Sequence, residues 1–338
     1  MTNQPIEPTE TKHLAYLDGW RGIAIILVLL SHFGEFRQFG RSGVDFFFVL
    51  SGLLMSQILF VDKMPLRKFY QRRIARIFPV FYLYLLVVGG VFYLYLPMLN
   101  TSDLTYSSLF LRTYFPGESI WINGENINTN TTFPIGHLWS LHVEEHCYIF
   151  LSIISLLALK YNEKLARHVV TVAALTTIAL FAYYKLYPPQ SQSPIFLRSE
   201  TAGFAILISS SIFLWLRHLR LTVPSWLPVI SALAGLIIGA SFQYGPFKFV
   251  VSPLLLAISV NTLNFAPAFF LRMLSNRILV WFGLCSFSIY IWQQPFYFMT
   301  LRNYWDYSYL TALIMALIVG SISYYFYEKP MRKLIRNL

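Results

Sequence analysis

The sequence predicts an all-α protein that crosses a membrane about ten times as one helical bundle. Three observations lead there. Of its 338 residues, 56% are hydrophobic and only 12% are charged, with a mean hydropathy of +0.55; soluble domains carry about 25% charge. Apolar stretches near the ~20 residues of a spanning helix recur along the whole chain. Lysine and arginine also sort by alternate loops. Eighteen of the 26 fall on the side of the N-terminus and seven on the other, with Arg21 inside the first stretch. Such alternation is the positive-inside pattern, and it predicts that both termini are cytoplasmic.

The predicted spans run near 16–34, 43–61, 74–97, 138–159, 169–187, 199–216, 226–243, 247–264, 278–300 and 308–327. The first carries Arg21 and His32. Eleven residues apart, they share one helical stripe, about 16 Å from each other. The second opens on Gly43-Val-Asp45. The third follows a basic loop and contains Pro79, tolerated in a membrane helix where neighbours satisfy the freed carbonyl. The fourth holds two adjacent acids, Glu144 and Glu145. The remaining six are apolar stretches, some short of a full crossing. A polar tail, 1–13, precedes the membrane domain, 14–330, and a basic tail, 331–338, follows it. The long loop 98–137 holds formal glycosylation acceptors at Asn100 and Asn130, without meaning in a bacterial protein. No cleavable signal peptide is visible, so the first helix should direct insertion.

Composition also excludes. The formal net charge of +11 sits in loops, which argues against nucleic acid and for anionic headgroups or an anionic co-substrate. Cys147 and Cys285 lie in apolar stretches and read as packing thiols rather than a disulfide or redox pair. No internal repeat is visible, which weakens an inverted-repeat transporter.

Ionisable residues in lipid-buried helices mark function by default. His32 has the only side-chain type that titrates unaided near neutral pH, so it suits a general base for acyl transfer to a hydroxyl. A packing histidine near a helix end is the alternative. Asp45 either orients His32 across the short outer loop or caps the second helix. Arg73 and Arg76 share a helical face; with Lys68 and Arg72 they suit phosphate, or they simply obey positive-inside topology. Glu144 and Glu145 are costly inside an apolar run. His142, Glu145 and His146 match a short zinc-peptidase pattern that lacks a third protein ligand.

Six strings, in order, carry a resemblance: Leu17-Asp-Gly-Trp-Arg-Gly22 leading to Ser31-His32; Gly43-Val-Asp-Phe-Phe-Phe-Val-Leu-Ser-Gly52; Arg72-Arg-Ile-Ala-Arg-Ile-Phe-Pro79; Trp139-Ser-Leu-His-Val-Glu-Glu145; Ser288-Ile-Tyr-Ile-Trp292 with Pro295; and Tyr327-Glu-Lys-Pro-Met-Arg332. Each is weak alone. Together the chain resembles the acyltransferase 3 family of integral-membrane acyltransferases, which includes bacterial polysaccharide O-acetyltransferases. The resemblance implies a ten-helix domain in the bacterial inner membrane that uses cytoplasmic acyl-CoA, usually acetyl-CoA, as co-substrate. It carries the family's essential histidine onto His32, its arginine onto Arg21, and its CoA-phosphate arginines onto Arg73 and Arg76.

Many relatives read Tyr-Leu-Trp-His before the proline near the ninth helix; here Gln293 stands in place of that histidine. Some relatives carry an SGNH hydrolase-like domain after the membrane part. This sequence stops eleven residues past its tenth span, so the expectation is that the membrane domain acts alone or hands the acyl group on. The implied function is acyl transfer from acyl-CoA to a hydroxyl of a lipid-linked or surface glycan, lipopolysaccharide included. Arg21 would orient the thioester, His32 act as base, and Asp45 or Glu144 support the imidazole. No metal is expected. A transporter or flippase, or a zinc peptidase using His142 and His146, are the rivals.

Overall fold

The computed structural model describes residues 14–95, 101–115, 121–122, 125–126, 134–160, 162–189, 194–219, 221–241, 245, 247–301 and 308–336. The predicted polar tail 1–13, Asn100 and Asn130 lie outside the described residues. What is described is almost wholly helical. In order come α1 (Ala15–Phe33), α2 (Phe39–Ser56), α3 (Leu66–Tyr95), α4 (Thr101–Ser108), α5 (Trp139–Lys160), α6 (Glu163–Leu186), α7 (Ser199–Ala202), α8 (Phe204–Leu219), α9 (Leu227–Gly239), α10 (Ser252–Asn261), α11 (Ala268–Leu274), α12 (Arg277–Leu301), α13 (Tyr309–Ser323) and α14 (Lys329–Arg336). A two-residue antiparallel pair, Trp121–Ile122 with Glu125–Asn126, lies in the long loop.

Seven stretches are long and apolar enough to cross a membrane, and α11 with α12, bent by 51°, makes an eighth. Two shorter apolar helices, α9 and Phe247–Asn261, fall at the seventh and eighth predicted positions. Each rises only about 20 Å, short of the ~30 Å hydrocarbon core. They lean on each other instead: Ser252 donates to the Gly235 carbonyl at 2.8 Å and Ser259 to the Pro228 carbonyl at 2.6 Å. Such serine bonds let helices associate where lipid removes the hydrophobic incentive.

The centre of the bundle is α1, sealed against α11 and α12. Gly22 and Gly283 make the approach possible: a Cβ at Gly22 would sit 2.1 Å from the Leu279 carbonyl oxygen, and one at Gly283 would sit 1.8 Å from that of Asp18. On the other side Trp20 is 1% exposed and donates its indole N–H to the Phe46 carbonyl of α2 at 2.9 Å. Farther out, Ser209 of α8 donates to the Val49 carbonyl at 2.6 Å and accepts from Asn261 of α10 at 2.8 Å. The outer helix faces are apolar, with Leu86, Leu186, Ile237 and Phe326 each more than 70% exposed; a belt of that kind faces lipid. At the end of the chain, the Gln71 side chain donates to the Ile335 carbonyl at 3.0 Å, docking α14 beside the start of α3.

Candidate active site

Between α1, α2, α3, α5 and α12 lies a cavity. Its basic end is set by Arg21, Arg73 and Arg76, its middle by Ser51, Glu144 and Tyr148, and its far end by Ser140 and Tyr290. The α5 contribution follows from spacing: Ser140, Glu144 and Tyr148 are four apart, so one face of the helix presents all three. Ser286 and Tyr290 do the same from α12.

Each charge has a defined partner or a defined lack of one. The Arg21 guanidinium donates to the Asp18 carboxylate at 2.6 Å, one turn earlier. Arg73 donates through Nε (3.0 Å) and Nη2 (2.6 Å) to one oxygen of Glu145, and its guanidinium lies 3.5 Å above the Tyr148 ring. Glu144, 4.0 Å from that guanidinium, accepts from the hydroxyls of Ser51 and Tyr148. Arg76 has no carboxylate within 4 Å among the described residues. Beside it, Glu328 is 1% exposed, accepts from Ser288 at 2.7 Å and pairs with Arg332 at 3.4 Å.

The far end is closed by a tyrosine. The Tyr290 hydroxyl donates to the His137 carbonyl at 2.8 Å and lies 2.6 Å from the Ser140 hydroxyl. His32 does not line the cavity. Its Nδ1 is 2.7 Å from Oε1 of Gln293, three residues past Tyr290 on α12, and its ring stacks on Tyr297 at 4.5 Å and 21°.

The structure therefore groups some predicted residues and separates others. Arg21, Arg73, Arg76 and Glu144 share one chamber. Arg72 and Lys68 are exposed on the first turns of α3 and face away from it. The expected support of His32 by Asp45 or Glu144 is not what the geometry holds. Asp45 is 1% exposed and accepts from Arg41 Nε at 3.0 Å, while Arg41 also donates to the Phe196 carbonyl at 2.9 Å. Glu144 accepts from both hydroxyls through Oε1, inside the chamber that His32 does not line. Arg73, expected with Arg76 to meet phosphate, is engaged by Glu145 and the Tyr148 ring. His142 and His146, one turn apart, take different surroundings. His142 packs between Phe81 and Phe110, whereas His146 bonds Ser199 at 2.7 Å and lies against Tyr114. No group of three His, Cys, Asp or Glu converges there among the described residues. Cys147 and Cys285 are both buried free thiols, as the sequence predicts.

The profile of the acyltransferase-domain family matches residues 14–327, nearly the whole chain. The chain belongs to the acyltransferase 3 family. Among its relatives is the peptidoglycan O-acetyltransferase OatA of Listeria monocytogenes, 27% identical over 95% of this chain and 56% of the relative. A Bacillus subtilis protein provisionally named a peptidoglycan O-acetyltransferase, YrhL, is 28% identical over 96% of this chain and 56% of its own length. A Staphylococcus aureus protein provisionally named an O-acetyltransferase, SACOL0978, is 25% identical over 96% and 59%. The chain thus spans a little over half the length of the curated relatives it matches. No solved structure matches it. The acyltransferase 3 strings map onto the site: the Arg21 and Arg73–Arg76 segments form the basic end, the Trp139–Glu145 string supplies Ser140 and Glu144, and the Ser288–Trp292 string supplies the Tyr290 closure.

Proposed function

We propose that this protein is a membrane O-acyltransferase that takes an acetyl group from acetyl-CoA on the cytoplasmic side and delivers it to a glycan hydroxyl. The names of its relatives make peptidoglycan the first acceptor class to test, ahead of lipopolysaccharide. One observation supports this above the rest: a single chamber gathers Arg21, Arg73 and Arg76 with hydroxyls and the Glu144 carboxylate. Arg76, with Arg21 beside it, meets the phosphates, since guanidinium forks bind phosphate in pairs. The pantetheine arm runs past Ser51 and Glu144 toward Tyr290. For transfer, the thioester must pass the Tyr290 closure, so that hydroxyl leaves its bonds to His137 and Ser140 when the donor is seated.

At His32 the chemistry balances simply. The imidazole takes the acceptor hydroxyl's proton as the oxygen attacks the thioester carbonyl. The new C–O bond forms, the C–S bond breaks, and the imidazolium returns its proton to the departing thiolate of CoA. The bacterial inner membrane is the proposed location, with the thioester supplied from the cytoplasm and the acceptor outside.

The test is turnover of acetyl-CoA by purified protein in proteoliposomes, read as thiol release and as O-acetylated product by mass spectrometry, against peptidoglycan fragments and lipid-linked sugars. His32→Ala should abolish both readouts while the melting temperature stays that of wild type. Full activity in that variant, or no acetyl-CoA binding by wild type, overturns the proposal.

A further inference from the structure

We infer that Gln293 sets the tautomer of His32, holding the proton on Nδ1 and leaving Nε2 as the basic atom. The inference rests on His32 being the base of the proposed reaction. Gln293 is fully buried on α12 and provides the hydrogen bond that His32 makes among the described residues, Nδ1 to Oε1 at 2.7 Å. Here the Gln293 Nε2 points to Oε1 of Gln294, an acceptor, at 3.5 Å. In this arrangement the NH2 group faces Gln294 and the carbonyl faces His32. A carbonyl only accepts, so Nδ1 must carry the hydrogen.

This is the reverse of the tautomer that a free neutral imidazole prefers, so the protein must impose it. A fixed donor at Nδ1 aims the Nε2 lone pair along the opposite edge of the ring, as the outer partners of catalytic and metal-bound histidines do. The stack on Tyr297 at 4.5 Å fixes the ring plane, so two constraints define one direction for the proton transfer. Gln293 is a positioning residue: it touches neither the thioester nor the acceptor, and the hydrogen bond supplies orientation without a charge.

Solid-state NMR on protein carrying 15N-histidine tests this directly, with His32→Ala identifying the signal. Wild type should show His32 protonated at Nδ1 and bare at Nε2. Gln293→Met, similar in shape and without an acceptor, should lose that signature and lower kcat by about 10- to 100-fold, with KM for acetyl-CoA within about twofold, because the phosphate end is untouched. Gln293→Glu, which accepts and does not donate at Nδ1, should keep the tautomer and most of kcat. An Nε2-protonated His32 in wild type overturns the inference, as does Gln293→Glu behaving like Gln293→Met. A correct tautomer together with an active His32→Ala protein would instead overturn the role of His32 as base and leave the assignment of Gln293 to the tautomer intact.

Discussion

Replacing Arg73 and Arg76 one at a time should separate structure from donor binding, although the two lie three residues apart on one helix. Arg73 makes two hydrogen bonds to Glu145 and covers the Tyr148 ring, with the two charged side chains only 9% and 14% exposed. Removing one member of so buried a pair leaves a bare carboxylate, a loss of about 3 kcal/mol at the lower end of what buried pairs cost when broken. Arg73→Gln should therefore lower the melting temperature in detergent by several degrees. The double variant Arg73→Gln with Glu145→Gln should recover much of it, since neither charge is then left unpaired. Arg76→Gln removes a cation that has no close carboxylate and faces Arg21, so stability should hold or rise slightly. What it loses is a charge-assisted bond to phosphate of about 1.5–3 kcal/mol, or roughly 10- to 150-fold in the dissociation constant for acetyl-CoA. Thermal melts and equilibrium binding on the same preparations give both numbers. An unchanged melt with weakened binding in Arg73→Gln, or the opposite pattern in Arg76→Gln, would refute the assignment.

Other outcomes follow from the packing. Gly22→Val and Gly283→Val should each fail to give a monodisperse folded protein in size-exclusion chromatography, because the added carbon meets a backbone carbonyl at 2.1 Å and 1.8 Å and the seam between α1 and α12 cannot relax. Tyr290→Phe removes the bond to the His137 carbonyl and should lower stability by about 1 kcal/mol, while KM for acetyl-CoA stays level and kcat changes. His146→Ala should keep both its melt and its turnover, and a chelator should leave turnover unchanged. Loss of activity in either case would revive the metal reading of His142 and His146.

The positions of the helices were legible because lipid makes one demand: enough consecutive apolar residues, with cations sorted by side. The same signal could not show that 227–239 and 247–261 are short helices leaning on each other, since both read as ordinary apolar stretches. Within the site, Arg21 and Glu144 were legible as charges in apolar runs. Their neighbours were less so. Serine and tyrosine are common on membrane helices, so Ser140 and Tyr148 were not singled out, although their four-residue spacing from Glu144 puts them on its face. Partner choice was not legible at all. Asp45 follows Arg41 by one helical turn, and this local pair outcompetes any reach to His32. The contact between His32 and Gln293 joins residues 261 positions apart, and it depends on how α1 and α12 are set together by their glycines.

A lipid-buried arginine ordinarily carries its own neutralising partner, because an isolated charge there is too costly to keep. Arg21 with Asp18, Arg41 with Asp45 and Arg73 with Glu145 follow that rule within 3.0 Å. Arg76 departs from it in part: on the wall of the chamber it has no direct ion pair among the described residues, two further guanidiniums, Arg21 and Arg332, lie within electrostatic range, and the one carboxylate acting on it there, Glu328, is shared with Arg332. Since positive-inside topology requires only a count of cations in the loop, it does not account for one turned inward with no ion pair of its own. An incoming polyanion would. If the proposed donor seats its phosphates there, donor binding should weaken steeply with salt while the melting temperature of the empty protein barely moves. A dissociation constant for acetyl-CoA that is flat between 50 and 500 mM salt would show that the phosphates seat elsewhere.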